Sequence, residues 1–560
     1  MQIVDLSAKP YFLSESDIAW VEDVLGHLSL KEKVGQMFCA VFSGEEEDDL
    51  LRLHEEIPFG GVTFRPNSSS TIRRLSLCIQ GRSQIPCLIS ANLENGGSGL
   101  LTDGTEYASQ LEVSATGNPE RAFELGDICG REGASVGCNY AFAPVVDVVF
   151  NWRNPIVNTR TYGDDPRRVV EFASAYMDGI MKHGFAVALK HFPGDGVDER
   201  DQHLVSSVNS FSVDEWDESY GMIYRALIDK GAQTVMVGHI MLPSYCKRFS
   251  PDLKDSEVLP ASLSYEIVTQ LLKGRLDFNG VAITDSASMT GLGCCLPRRS
   301  VPAACINAGC DVFLFGRNAM EDFENLLIDA ENGQVPIARI DDAVRRILGL
   351  KASLGLHRAK RFASDDFESI VGCKAHISAS RRCADEAITL VKDTQRLLPL
   401  DPKTHKHILL CVLGDVPFFR GGFKCRDSFV AALEKKGFEV DLMDTVEYAT
   451  STVSTLRSRY GVIIYVANTV SGGNDTVNRI RWNPFSCGQS PQLVNDIPTM
   501  FVSMGNPYHF VDVPMVRTIV NCYNCSNVVI GSLVDKIVGE DVFMGHSPVD
   551  PFCGFWGADF

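Results

Sequence analysis

The feature that most constrains this chain is an alternation of short apolar runs with longer amphipathic segments through its first two thirds. The longer segments, such as residues 119–134 and 166–184, carry apolar residues at helical spacing. The short runs are compact enough for buried parallel strands; they are residues 60–64, 85–91, 139–145, 186–190, 234–237, 280–284 and 311–315. Repeated strand–helix units predict an α/β fold, and their number suits a (β/α)8 barrel of the TIM type.

A second, smaller α/β unit is predicted after the barrel. The helical pattern of residues 340–354 is expected to close the barrel, and the polar stretch after it indicates a connector. Apolar runs then return at residues 407–413, 461–467, 499–503 and 517–521, which predicts an open parallel sheet with helices on both faces. The expected domains are a catalytic barrel over 1–357, a linker over 358–383 and an α/β sandwich domain over 384–560.

Charge and hydropathy exclude two classes of partner. The chain carries 52 basic and 71 acidic residues, a net charge of −19, without a block of clustered Lys or Arg. A protein that binds a phosphate backbone needs a basic face, so the composition argues against nucleic acid. Residues 1–25 lack a basic segment followed by an apolar one, and no apolar run is long enough to span a bilayer. A cytoplasmic protein without membrane contact is expected.

The cysteines predict neither a disulfide scaffold nor a metal site. The 18 cysteines are scattered along the chain, at a density well below that of disulfide-rich domains. The single CxxC motif, formed by Cys522 and Cys525, has no second pair, which argues against zinc. Reduced thiols are the expected state in the cytosol.

Polar residues stand at the ends of several predicted strands. Lys190 and His191 end one strand, His239 follows the next, and Asp285 follows the one after that. In a barrel, catalytic groups lie at the carboxyl ends of the strands. Any one of these residues could be a turn or capping residue, but their recurrence at the same kind of position indicates an active site.

Two stretches carry the candidate chemistry. In residues 190–204, KHFPGDGVDERDQHL, Asp201 can accept a hydrogen bond from one ring nitrogen of His203. The other nitrogen is then free to move a proton near neutral pH. In residues 280–291, GVAITDSASMTG, a buried strand delivers Asp285, whose carboxylate can attack an anomeric carbon. A solvated acidic loop and a helix cap are the respective alternatives.

Both stretches resemble signatures of one enzyme family. The first is similar to the KHFPGHG…DSH signature of the β-N-acetylglucosaminidase branch of glycoside hydrolase family 3, and the second to that family's nucleophile strand and loop. Other landmarks follow in family order, so the resemblance spans nearly the whole chain. They include LSLKEKVGQMF as an opening helix, GGVTFRPN as a first inner strand, FAPVVDV, NTRTYGDDP, VSMGNPY and the terminal FMGHSPVDPF.

The resemblance implies roles for particular residues and a two-domain fold. Asp285 is the expected nucleophile, His203 the acid/base and Asp201 the residue that orients His203. The side chains expected to bind the sugar are Arg160, Lys190, His191, Asn92, Glu94 and His239. No metal or other cofactor is expected, because the charge on the oxocarbenium-like transition state is met by Asp285. The C-terminal domain is expected to be structural, packing on the barrel or forming a homodimer interface.

Two departures from the family pattern bear on specificity. Asp195 stands where the family has a loop histidine, and Asn92 where a sugar-binding aspartate is expected, with Glu94 as the candidate replacement. The expected function is retaining hydrolysis of terminal β-linked N-acetylglucosamine. The alternatives are a β-N-acetylglucosaminide phosphorylase, a β-glucosidase or β-xylosidase of the same family, and a non-catalytic carbohydrate-binding protein.

Overall fold

The structure, a computed structural model, describes residues 4–359, 362–415, 425–485 and 488–558. These residues form two compact units. Unit 1 consists of Met1–Tyr107, Ala122–Asn151 and Pro166–Ile377; unit 2 consists of Ala108–Arg121, Trp152–Asp165 and Ser378–Phe560. The passage into unit 2 after Ile377 falls within the stretch expected to be a linker. Two short segments from the expected barrel range belong to unit 2, so the units are not continuous in sequence.

Unit 1 contains a sheet of eight parallel strands. In chain order, its strands and a separate two-stranded pair (β6 and β8) are β1 Phe38–Phe42, β2 Gly61–Phe64, β3 Leu88–Ala91, β4 Tyr140–Ala141, β5 Ala186–Phe192, β6 Ser207–Val208, β7 Thr234–Val237, β8 Ile240–Met241, β9 Val281–Thr284 and β10 Phe313–Leu314. The spatial order is β10-β1-β2-β3-β4-β5-β7-β9. A parallel bridge between Ile283 and Val312 joins the outer strands, so the sheet closes into a barrel. The predicted TIM-type fold is confirmed.

Helices follow most of these strands. They are α1 Glu15–His27, α2 Leu30–Gln36, α3 Glu47–Glu56, α4 Ser69–Arg82, α5 Gln110–Ala115, α6 Pro119–Ser135, α7 Pro166–Met181, α8 Val213–Glu218, α9 Tyr220–Lys230, α10 Pro243–Phe249, α11 Thr290–Gly293, α12 Val301–Ala308, α13 Ala319–Glu331, α14 Ile337–Ser353, α15 Phe367–Ile370 and α16 Lys374–Ala387. A π-helix covers Glu266–Arg275. Several helix starts are set by local sequence: Ser14, Ser29 and Ser212 each form a capping box with an acidic residue three positions on.

Burial explains why the apolar runs become strands. Every residue of β5 is buried, as are all residues of β2, β3, β7 and β9. The amphipathic helix α7 buries Phe172, Tyr176 and Ile180 from one face. Each such side chain contributes about 1.5–3 kcal/mol by leaving water. The barrel is therefore a packed scaffold whose strand ends present the site.

The start of the barrel differs from the sequence-based expectation. The stretch LSLKEKVGQMF was expected to be helical to its end and GGVTF to be the first strand. The helix α2 ends at Gln36, and the first strand is β1, Phe38–Phe42. Only Met37 separates the two elements. A short apolar run directly after a helix has no turn signal before it, so periodicity alone cannot separate it from the helix.

Unit 2 contains a sheet of six strands. They are β11 Thr389–Asp393, β12 His407–Leu413, β13 Glu439–Leu442, β14 Val462–Ala467, β15 Thr499–Ser503 and β16 Thr518–Asn521, in the spatial order β11-β16-β15-β14-β12-β13. The strand β11 pairs antiparallel with β16, whereas the other pairs are parallel. The four strands expected from the sequence, β12, β14, β15 and β16, pair in parallel as predicted, but the sheet as a whole is mixed because β11, which was not among them, is antiparallel. The edge strand β13 exposes Glu439 and Asp441.

Alternating side chains of the unit 2 strands enter two cores. Ile408 and Leu410 of β12 lie in one cluster, while Leu409 and Cys411 lie in the other. Helices cover both faces, as predicted; they are α17 Arg426–Lys435, α18 Thr445–Thr450, α19 Val453–Arg459 and α20 Asn527–Ile537. Within the residues that the structure describes, no helix is both long and apolar enough to cross a bilayer.

Candidate active site

Asp285 lies at the carboxyl end of β9, where the backbone leaves the barrel. Its amide donates to the Val237 carbonyl at 2.8 Å, and the Ser286 amide donates to its Oδ1 at 2.7 Å. The next helix, α11, begins at Thr290 with Met289 as N-cap, so Asp285 is not a helix cap. Ser286 supplies the only hydrogen bond to this carboxylate among the described residues, which leaves Oδ2 available to a substrate.

Three imidazoles surround the Asp285 carboxylate and keep it ionised. Burial by itself raises the pKa of Asp285, but the electrostatic interactions with His191, His239 and His203, together with the hydrogen bond from the Ser286 amide, outweigh it, so the pKa lies below the usual value. His191 Nε2 is 3.9 Å from Asp285 Oδ2. At neutral pH this carboxylate is therefore an anion in a largely enclosed place, as a nucleophile requires.

Asp201 and His203 form the pair that their spacing predicts. His203 Nδ1 lies 2.7 Å from Asp201 Oδ1, and the His203 amide donates to the same oxygen at 2.9 Å. The Asp201 side chain is fully buried, whereas that of His203 is 28% exposed. Asp201 therefore fixes the ring, and Nε2, which makes no hydrogen bond to the described residues, is free to exchange a proton.

The loop of His203 is joined to the loop of Asp285 by backbone hydrogen bonds. The amides of Thr290 and Gly291 donate to the carbonyls of His203 and Gln202 at 3.1 and 3.0 Å. Gln202, which is fully buried, accepts from the His239 amide at 2.7 Å through its side-chain oxygen. These contacts bring the candidate acid/base and the candidate nucleophile to one end of the barrel.

Asp147 belongs to the site and was missed in the sequence. Its Oδ2 lies 2.7 Å from His191 Nδ1, while its Oδ1 accepts from the amides of His191 and Asp195 at 3.1 and 2.8 Å. Asp147 thus fixes the ring that faces Asp285. The signal that could have found it is a single charged residue within the otherwise apolar run FAPVVDVVF.

Lys190 binds two of the residues at the end of β3. Its Nζ lies 2.6 Å from Glu94 Oε1 and 3.2 Å from Asn92 Oδ1. The side chains of Lys190 and Glu94 are only 3% and 11% exposed. The structure thus brings Asn92, Glu94 and Lys190 together, and Glu94 supplies a carboxylate beside the position where Asn92 replaces the expected aspartate.

His239 is fully buried, and both of its ring nitrogens have partners. Nδ1 lies 2.8 Å from Ser262 Oγ and Nε2 lies 2.9 Å from the Ser286 carbonyl. Burial lowers its pKa, against the raising effect of Asp285. This geometry gives His239 a supporting role in holding Ser286 beside the nucleophile.

Two further residues singled out in the sequence are Arg160 and Asp195. Arg160 ends a short 3-10 turn in a segment that belongs to unit 2, where its Nη1 donates to the Ile156 carbonyl at 3.3 Å. Asp195 is buried and accepts from Gln202 Nε2 at 3.2 Å, so it belongs to the frame of the acid/base loop. In the described ranges, no group of three or more His, Cys, Asp or Glu side chains could hold a metal ion.

Comparisons with known proteins show which family this chain resembles. Residues 29–350 match the model of the glycosyl hydrolase family 3 N-terminal domain. The chain is 40% identical, over 99% of both chains, to a β-N-acetylglucosaminidase/β-glucosidase of Cellulomonas fimi. It is also 40% identical to a solved structure named β-glucoside phosphorylase BglX, with a TM-score of 0.93 over 99% of both chains.

A family 3 β-N-acetylglucosaminidase from Paenibacillus, 24% identical, shares the fold with a TM-score of 0.80 over 94% of this chain and all of that one. The family model covers more than half of the present chain. The chain therefore belongs to glycosyl hydrolase family 3.

Proposed function

We propose that this glycosidase removes terminal β-linked N-acetylglucosamine through a covalent glycosyl-enzyme on Asp285, with His203 as acid/base. The observation that carries the proposal is the Asp201–His203 pair at 2.7 Å, joined by backbone hydrogen bonds to the nucleophile loop. The name of the Cellulomonas fimi relative includes this activity, beside β-glucosidase activity.

In the first step, Asp285 Oδ2 attacks the anomeric carbon while His203 Nε2 gives its proton to the departing oxygen. The lowered pKa of Asp285 keeps the attacking group anionic, although burial opposes this. Asp201 holds the ring so that the proton-bearing nitrogen faces the substrate. In the second step, His203 takes a proton from water, which displaces Asp285 with overall retention.

The Lys190 cluster is the proposed site for the sugar hydroxyls. Lys190, Asn92 and Glu94 combine one ammonium group, one amide and one carboxylate in a partly desolvated position. Each can also hydrogen-bond a hydroxyl group, so a substrate lacking that hydroxyl would lose the contact. Arg160 is proposed to contribute from its own segment, as the family resemblance implies.

A second candidate is transfer of the sugar to phosphate. An imidazole without its proton is neutral, so it does not repel an incoming anion as a carboxylate base would. The neighbouring Arg200, whose side chain is half exposed, adds a positive charge to the same loop, although it pairs with Asp198. The solved structure at 40% identity is named a β-glucoside phosphorylase. Phosphate would then displace Asp285 and leave as a sugar 1-phosphate.

The test is turnover of 4-nitrophenyl β-N-acetylglucosaminide beside the β-glucoside and the β-xyloside, each with and without phosphate. The main proposal expects the highest kcat/KM on the N-acetyl substrate and free sugar as the product. Faster release with phosphate, together with a sugar 1-phosphate, would establish the second candidate instead. Preference for the β-glucoside or β-xyloside would move the specificity to those sugars.

Controls separate catalysis from binding. The Asp285→Asn variant should be inactive, and Asp229→Asn, at a carboxylate that is 79% exposed, should be as active as the unaltered chain. Binding of N-acetylglucosamine without turnover of any glycoside would contradict both candidates and favour a non-catalytic carbohydrate-binding protein.

A further inference from the structure

Two adjacent cysteines end the short helix that follows the nucleophile. Cys294 is the C-cap of α11 and is exposed, and Cys295 is half-buried. Both are free thiols. No other two cysteines are neighbours along the chain. The pair therefore offers two sulfurs at one place, one of them in contact with solvent.

The pair touches the loops of both candidate catalytic residues. Ser206 Oγ lies 3.6 Å from Cys294 Sγ and 3.9 Å from Cys295 Sγ. Cys295 Sγ donates to the Gly291 carbonyl at 3.2 Å. The Gly291 amide in turn donates to the Gln202 carbonyl, next to His203. A ligand bound between these sulfurs and Ser206 must push Ser206 away. Because Ser206 lies three residues after His203, the segment that follows His203 then moves as well.

The surroundings of the two thiols favour the binding of a ligand that prefers sulfur donors. Burial raises the pKa of the Cys295 thiol, which favours its neutral, hydrogen-bonding form. Neutral thiols react slowly with simple alkylating agents, because the thiolate is the nucleophile. Soft, thiophilic ligands favour sulfur over oxygen and nitrogen donors. Two adjacent sulfurs can bind one such atom together.

We propose that Cys294 and Cys295 form a dithiol site for soft thiophilic electrophiles of the trivalent arsenical class, and that its occupation stops catalysis by displacing the His203 loop. The second half of this inference rests on the proposed function of His203. The first half, capture by both sulfurs, stands on the thiol pair alone.

The covalent step balances without an oxidant. With phenylarsine oxide, two As–S bonds form and the As–O bonds break. The two thiol protons leave with the oxygen as one water molecule, and arsenic remains trivalent. An arsenic atom that bridges the sulfurs, together with its phenyl ring, competes for the space of the Ser206 side chain. The segment from Asp201 to Ser206 then has to move.

The experiment uses the full chain and phenylarsine oxide at equimolar concentration. Intact mass and thiol titration should show one arsenic per chain and two fewer free thiols. Turnover of the 4-nitrophenyl glycoside should fall at least about tenfold, which corresponds to about 1.4 kcal/mol in the barrier. A small dithiol should restore it, whereas a monothiol such as glutathione should not.

Matched variants assign the effect. Cys294→Ser and Cys295→Ser should keep basal activity, because serine preserves the local hydrogen bonds, and both should resist the arsenical. Cys373→Ser, at a half-buried thiol elsewhere in unit 1, should remain as sensitive as the unaltered chain. The inference would be overturned if the arsenical inactivated the Cys294→Ser and Cys295→Ser variants as strongly as the unaltered chain. An adduct on both sulfurs without loss of turnover would also overturn it.

A chain without turnover would overturn the proposed function alone. The adduct mass then still tests the dithiol. Amide exchange of Thr290 and Gly291 tests the loop movement, because both amides are bonded to the His203 loop. Faster exchange in the adduct is expected, and unchanged exchange would contradict the displacement.

Discussion

The two ends of the barrel in unit 1 both bury charged groups, yet they use them differently. At the amino ends of the strands, Asp311 accepts two hydrogen bonds from Lys273 Nζ, at 2.8 and 2.9 Å, and one from the Ala282 amide at 2.8 Å. Arg339 binds Asp311 as well and pairs with Asp342 at 3.0 Å. We call this group of Lys273, Asp311, Arg339 and Asp342 the amino-end network.

At the carboxyl ends, Asp285 receives one hydrogen bond, from an amide. The Nε2 atom of His191 is 3.9 Å from its Oδ2. Burial raises the pKa of both Asp285 and Asp311, and positive neighbours lower both further than burial raises them. The two carboxylates differ in their hydrogen-bond partners: both oxygens of Asp311 are bonded to other groups, whereas Asp285 keeps one oxygen for a reacting atom. In a barrel of this type, residues at the amino ends of the strands serve stability, and those at the carboxyl ends serve catalysis.

The largest effect is expected from Asp285→Asn. Removal of the nucleophile should lower kcat at least about 10,000-fold, because the amide cannot attack the anomeric carbon. Urea unfolding should be nearly unchanged, since few groups depend on this carboxylate. Steady-state kinetics and denaturation measured on one preparation check both halves. A variant with near-normal kcat would remove Asp285 from the mechanism.

His203→Gln should lower kcat/KM far more for substrates with poor leaving groups than for those with good ones. Loss of the proton donor should lower kcat/KM about 100- to 10,000-fold for methyl β-N-acetylglucosaminide, which needs protonation of its leaving oxygen. The 2,4-dinitrophenyl glycoside should lose far less. His27→Gln, at a histidine that is 81% exposed, serves as the control. Equal losses on both substrates would argue against proton transfer by His203.

Asp311→Asn should behave in the opposite way to Asp285→Asn. It leaves the cations of the amino-end network without their partner, and breaking a buried ion pair costs about 3–5 kcal/mol. The free energy of unfolding should fall by that amount, while kcat of the folded fraction stays the same. Asp229→Asn, in an exposed pair, should cost at most about 1 kcal/mol. A catalytic defect without destabilisation would contradict the stabilising role of Asp311.

Asp147→Asn should have the smallest effect and should change the pH profile. An amide no longer accepts from the His191 ring as the carboxylate does, which weakens the hold on the imidazole whose interaction lowers the pKa of Asp285, so that pKa should rise. The acid limb of kcat/KM should therefore move to higher pH, with a loss of about tenfold below the shifted limb. A pH–rate profile of both proteins checks the direction. An unmoved limb would reduce Asp147 to a structural role.

Much of the barrel could be predicted because its strands are short, apolar and bounded by polar residues. Thr234–Val237 matches the expected run at both ends, and the strand positions of Asp285 and His191 followed directly. The Asp201–His203 contact was also accessible, since it spans two residues. These features depend on residues close together in the sequence, so the sequence pattern alone was enough to predict them.

Other features depend on parts of the chain that meet only on folding. Asp147 contacts His191 across 44 residues, so no spacing rule indicates the pair. The two ring nitrogens of His239 are bonded to Ser262 and to the Ser286 carbonyl, which lie 23 and 47 residues further along the chain. The antiparallel position of β11 depends on its pairing with β16, more than a hundred residues away, which its own sequence does not encode.

The edge strand β13 in unit 2 bears on how copies of this chain behave in a crowded solution. A strand at the margin of a sheet has backbone groups that another strand can pair with, which invites aggregation. Here Glu439 and Asp441 are exposed along that margin, and Asp441 pairs with Arg459 at 2.9 Å. Charged side chains at a sheet edge oppose such pairing, so we expect these carboxylates to limit self-association. Replacing both with apolar residues of high β-propensity would make this edge strand prone to aggregation without altering the barrel.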